Sequence, residues 1–211
     1  MTASPLRPIV GRTIGEYVET TGSLNPMPGG GSVSGVVGAL AVALGQMVAN
    51  VSGKGSDDPR YGEQVARLQT RVDAFLNGAE ADEASYGGYL AATRLPKGTP
   101  EEKASRRIAV QNALREASFA PLAIARNAAD ALDDLAPVIE TGAANILADA
   151  EVALILCEAA VCAALVNVHA NLPWIKDDAL VAELREAIAD TESRARIAAE
   201  VARQGLTARR T

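Results

Sequence analysis

Three groups of residues in this sequence are of a type and spacing suited to chemistry. Asp82 and Tyr86 stand four apart, with Tyr89 on the next turn, so a helix would place a carboxylate and a phenol on one face. Asp149 opens the apolar run 150–168, and Asn167 follows five turns later at the same azimuth. Gly29-Gly30-Gly31-Ser32 leads into a third, apolar stretch. A carboxylate can take and return a proton, and beside a cation it also stabilises positive charge. The glycine run has two open readings: a helix start with a pliable lead-in, or a set of unpaired backbone N–H groups that bind a carboxylate or a ring carbonyl. The aspartates also have a plainer reading, Asp149 as a solvated helix end and Asp82 as part of an exposed face.

Other chemistries are excluded by what is missing. His169 is the single histidine, so neither a two-histidine zinc helix nor a di-iron carboxylate bundle can be built in one chain. It falls late in an apolar helix and reads as a core histidine. Cys157 and Cys162 are five apart, on different helix faces, which disfavours a disulfide or a metal pair and fits buried, reduced thiols in a cytoplasmic protein. The glycine run lacks the lysine of a phosphate-binding loop, and no Gly-x-Ser-x-Gly elbow occurs. Net charge is −6 with the signs interleaved, so there is no basic stripe for nucleic acid. The two most hydrophobic stretches, 33–51 and 152–168, contain Gln46 and Glu158 and read as bundle helices rather than membrane spans.

The elements that must position these residues are helical. Hydrophobic residues make up 48% of the 211 but aromatic ones only 3%, leaving Ala, Val and Leu to supply the apolar content. Residues 1–12 read as a loose arm, and 13–208 as one domain. A short helix is expected over Thr13–Thr21, then one from Gly30–Ser32 to about Asn50, with small residues at helical spacing that imply a closely packed neighbour. A polar loop 54–60 precedes a long helix from Tyr61 to Leu95, with Val65, Leu68, Val72, Phe75 and Leu76 as its apolar stripe. Thr99-Pro100-Glu101-Glu102 is a capping signal for a helix reaching Ile139 through Pro121. Two more helices are expected over 145–172 and 177–204, the last burying Leu180, Leu184, Ile188 and Ile197. The fold class is all-α, a bundle of five or six long antiparallel helices.

Pro28-Gly29-Gly30-Gly31-Ser32-Val33, Val37-Gly38-Ala39-Leu40 and Met47-Val48-Ala49-Asn50 together resemble the opening motif of the cyclodeaminase/cyclohydrolase family, the C-terminal domain of formiminotransferase-cyclodeaminase and its free-standing bacterial relatives. The resemblance continues through Asp82, Tyr86, Leu95-Pro96, Glu101-Glu102-Lys103, the stretch from Ala117 to Pro121, Ala148-Asp149 and Asn167-Val168. Where the family has a lysine-rich segment after its first long helix, this chain keeps Lys54 and, after an insertion, Arg60-Tyr61.

The resemblance implies an enzyme acting on tetrahydrofolate one-carbon adducts, a homodimer or higher symmetric oligomer, and a cleft near the subunit interface. It implies a methenyltetrahydrofolate cyclohydrolase, with ammonia release from the formimino adduct as the alternative and a non-catalytic helical scaffold as a more distant one. No metal or organic cofactor is expected, because the methenyl carbon is already an electrophilic cation. Asp82 and Asp149 are the candidate bases and Tyr86 a hydrogen-bond donor to the intermediate. Gly29, Gly30, Gly31 and Ser32, with Asn167, are expected on the pterin or tail oxygens. Lys54 and Arg60, with Tyr61 beside them, are expected on the glutamate tail.

Overall fold

The computed structural model describes residues 8–210, so the first seven residues of the expected arm lie outside the described part. Six α-helices and no strand occur among the described residues: α1 (Ile14–Thr21), α2 (Gly30–Ser52), α3 (Pro59–Thr93), α4 (Pro100–Thr141), α5 (Leu147–Asn171) and α6 (Asp178–Arg210). Short 3-10 turns occupy Ile9–Gly11, Ala144–Ile146 and Leu172–Trp174. The helices form an antiparallel bundle in which α2 packs on α3 and α5, while α4 packs on α3, α5 and α6.

Local chemistry explains most boundaries. Thr13 and Thr99 each close a capping box, with Glu16 and Glu102 reaching back to the cap. Asp58 caps α3 and Pro59 occupies its first turn, two residues before the expected start at Tyr61. α4 runs unbroken through both Pro121 and Pro137. Prolines remove one helical donor each, and a helix covered on three sides by neighbours tolerates that loss. The core is aliphatic, built on fully buried Leu68, Phe75, Leu122, Leu132, Leu135 and Leu184. Arg71 on α3 reaches Asp134 at 2.7 Å and Asp130 at 3.0 Å on α4, and Asp130 also accepts from Arg194 on α6, so three helices share one ion cluster.

Several expectations need correction. Ile197 is 55% exposed. At about 100° per residue, nine positions place it opposite the buried Ile188. His169 and Cys162 are exposed rather than buried, since α5 turns Val161, Ala164, Leu165 and Val168 inward. Cys157 is buried, and desolvation pushes its thiol up to about 12. The described part of the arm is not loose: Ile9 is buried, and its N–H donates to Glu80 at 2.9 Å. Helices α2 and α5 fall within two residues of their expected bounds. By length and composition alone both would cross a bilayer, yet each contributes a face to the core of the bundle.

Candidate active site

The start of α2 rests against the middle of α3, and the contact is one of backbone against carboxylate. Gly31 has no side chain; a Cβ there would lie 2.1 Å from Asp82 Oδ1. Only glycine allows the helix end to approach this closely. The Ser32 N–H, one of the free donors at the helix N-terminus, donates to Asp82 Oδ2 at 2.9 Å. The aspartate is thus held by the positive end of a helix and is half-buried. Burial is the largest influence on it and pushes its pKa up to about 6; the Ser32 amide works against that rise, and the neighbouring Glu83 charge adds to it.

Behind Asp82 lies a buried polar chain. Arg12 donates to both oxygens of Glu83, at 2.9 and 2.7 Å, with both side chains nearly inaccessible. A carboxylate paired in this way only accepts, so the Ser32 hydroxyl donates to Glu83 Oε1 at 3.0 Å. That leaves the Ser32 oxygen to accept from the Tyr17 hydroxyl at 2.8 Å. Burial raises the Tyr17 pKa and so keeps the phenol protonated. The direction of every proton in the chain follows, and α1 is fastened through it to α2 and α3.

In front of Asp82 is a cleft of about 400 Å³ between the start of α2, the second half of α3, the middle of α4 and the end of α5. Gly29, Gly30 and Gly31 border it, as do Asp82, Tyr86 and Asn167, so the structure brings together six of the expected residues, with Ser32 bonded to Asp82 behind them. A Cβ at Gly30 would sit 3.0 Å from Asn167 Oδ1, which measures how closely α2 meets α5. Tyr86 and Tyr89 line one wall with ring centres 6.1 Å apart, and Trp174, 65% exposed, stands at the rim. Asn171 completes the polar lining and escaped the sequence reading, as did Glu83, Arg12 and Tyr17. Asn171 follows Asn167 by one turn, a signal that was available. Arg12 and Glu83 are 71 residues apart, and no local pattern joins them.

Four expected residues are elsewhere in the chain. Asp149 lies 18 residues before Asn167 on α5, or about 27 Å along the axis at 1.5 Å per residue. Equal azimuth is not equal height, and Asp149 sits in the first turn of its helix, where an acid suits the helix dipole. Lys54 follows the far end of α2, about 33 Å from Ser32 on the same scale. Arg60 pairs with Asp58 at 2.6 Å, and the Tyr61 hydroxyl donates to the Thr141 carbonyl at 3.2 Å. None of the four lines the cleft.

The chain is similar to known proteins over nearly its whole length. The sequence pattern of the formiminotransferase-cyclodeaminase family matches residues 13–190. A methenyltetrahydrofolate cyclohydrolase from Methylorubrum extorquens is 34% identical over 179 residues, covering 81% of this chain and 84% of that protein. The formimidoyltransferase-cyclodeaminase of Sus scrofa is 31% identical across 98% of this chain, which spans only 39% of that protein. The crystal structure of a formiminotetrahydrofolate cyclodeaminase from Thermotoga maritima superposes with a TM-score of 0.83 at 26% identity, covering 95% of this chain and 98% of that one.

Proposed function

The chain belongs to the formiminotransferase-cyclodeaminase family, and from that premise we propose that it is a methenyltetrahydrofolate cyclohydrolase, hydrolysing 5,10-methenyltetrahydrofolate to 10-formyltetrahydrofolate. The observation that carries the reading is Asp82: a carboxylate fixed on a backbone amide, at the floor of a cleft with aromatic walls, and poised near neutrality. A general base works best with a pKa close to the working pH.

The substrate is a cyclic amidinium cation. Asp82 takes a proton from water as the oxygen bonds to the bridging carbon, which discharges the cation. The tetrahedral adduct then collapses: its hydroxyl proton leaves, the carbon–N5 bond breaks, Asp82 returns its proton to N5, and the formyl group stays on N10. One water is consumed and one proton released. Before attack, the Asp82 charge also stabilises the bound cation. We assign Tyr86, which lines the same cleft, a hydrogen bond to the adduct. The electrophile arrives already activated, so we infer that no metal or organic cofactor takes part.

Ammonia release from the formimino adduct is the second reading, favoured by the close superposition on the Thermotoga maritima cyclodeaminase. Loss of methenyltetrahydrofolate absorbance on adding pure protein, in the presence of a chelator, tests the first; ammonia release from 5-formiminotetrahydrofolate, run beside it, tests the second. Turnover of the formimino compound alone would overturn the cyclohydrolase reading, and a chelator-sensitive rate the metal-free one. We further propose that the working form is a homodimer built on the outward faces of α2 and α5.

A further inference from the structure

Pro121 lies inside α4 and has no N–H, so the carbonyl of Ala117, one turn earlier, loses its helical donor. Asn171, the last residue of α5, supplies another: its Nδ2 donates to Ala117 O at 2.9 Å. A carbonyl only accepts, which fixes the amide with its nitrogen toward α4. Asn167, one turn earlier, also commits its Nδ2, which donates to Ala163 O of its own helix at 2.9 Å. Both asparagines line the cleft, and among the described residues neither Oδ1 receives a hydrogen bond. Two residues of the cleft lining, one helical turn apart, therefore each keep an uncommitted carbonyl oxygen.

We propose that Asn171 is a substrate-binding residue whose Oδ1, with that of Asn167, accepts from the N–H-bearing edge of a cyclic ligand, and that Pro121 is the positioning residue that keeps Asn171 so turned. The inference rests on the folate reading above: a reduced pterin carries an amino group and ring N–H groups along its edge, and the two acceptors match them. An alanine at 121 would restore a helical N–H to the Ala117 carbonyl and leave the Asn171 amide free to rotate. Proline thus has a use here that its helix propensity opposes.

The test is a cycle of Asn171→Ala, Pro121→Ala and the double variant, read by calorimetric titration with tetrahydrofolate, steady-state kinetics and thermal melts. Asn171→Ala is expected to weaken tetrahydrofolate binding and raise KM about tenfold or more, with kcat within about threefold, since a uniform binding contact is lost. Pro121→Ala alone is expected to weaken binding by a smaller factor, about threefold, by releasing the amide. In the Asn171→Ala background it should weaken binding no further and should recover melting temperature, because the Ala117 carbonyl regains a donor. Binding within twofold of wild type in a folded Asn171→Ala protein would overturn the assignment. An equal factor from Pro121→Ala in both backgrounds would overturn its positioning role. A wild-type protein that binds no tetrahydrofolate would remove the folate reading and this inference together, whereas wild-type binding with unaffected variants removes the inference alone.

Discussion

Asp82 is under two opposed influences, and the balance between them makes it useful. The Ser32 amide favours its charge, while burial and Glu83 oppose it, and burial prevails. A carboxyl raised from 3.8 to about 6 contributes no penalty to folding below pH 4, where the group is protonated in both states, and a growing one as pH rises through 6. The difference amounts to up to about 3 kcal/mol at neutral pH. Asp82→Asn keeps an oxygen for the Ser32 amide and removes the charge. We expect turnover to fall about 10²–10⁴-fold, the melting temperature at pH 7 to rise, and the stability gain to vanish near pH 4. The wild-type rate should decline below pH 6 as the base is protonated. An active Asn variant, or one with unchanged stability at pH 7, would count against this account of the site. Asp82 and Tyr86 were legible in the sequence because four-residue spacing is a local property. Glu83, Arg12 and Tyr17 were not, since their chain closes only when α1, α2 and α3 meet.

At the scale of elements, the small residues of α2 do two different things, and substitution separates them. A Cβ at Gly35 would meet Ala79 Cβ at 2.8 Å and the Phe75 carbonyl at 3.0 Å. The second is backbone, so α2 and α3 must move apart. Gly35→Ala gains about 1 kcal/mol of helix propensity against roughly 1–3 kcal/mol of overpacking, and the melting temperature should drop by a few degrees. At Gly31 the obstacle is the end of the Asp82 side chain, which can rotate away. Gly31→Ala should therefore melt close to wild type and lose most activity. The reverse pattern, or two variants alike in both measurements, would contradict the packing described. Helix positions themselves were readable: the capping boxes at Thr13 and Thr99 and the breakers between elements mark them within a few residues. Height along a helix was harder to read. Asp149 shares an azimuth with Asn167, and Lys54 lies in the polar loop before α3, but helices of 25 and 23 residues carry them away from the cleft.

At the scale of the whole molecule, the outward faces of α2 and α5 carry exposed apolar residues along two long neighbouring helices. From Gly29 to Gly53 there is no charged residue, yet Leu40 is 58% and Val51 46% exposed. On α5, Val152, Ile155 and Val166 are 45%, 53% and 65% exposed. By contrast, α6 surrounds Ile197 and Val201 with Arg194, Arg196, Glu200 and Arg203. A helix of 23 residues spans about 34 Å and its neighbour lies about 10 Å away. Two such helices side by side offer a face of roughly 700 Å², close to the ~800 Å² that each partner of a stable complex buries. A second copy of the same face, uncharged and self-complementary about a two-fold axis, is the simplest cover for it. Light scattering at micromolar concentration should give twice 21.8 kDa. Leu40→Glu places two like charges near such an axis and should yield monomers, while Ile197→Glu, equally exposed but on α6, should leave the mass unchanged. A wild-type monomer, or a Leu40→Glu protein that remains a dimer, would place any assembly surface elsewhere.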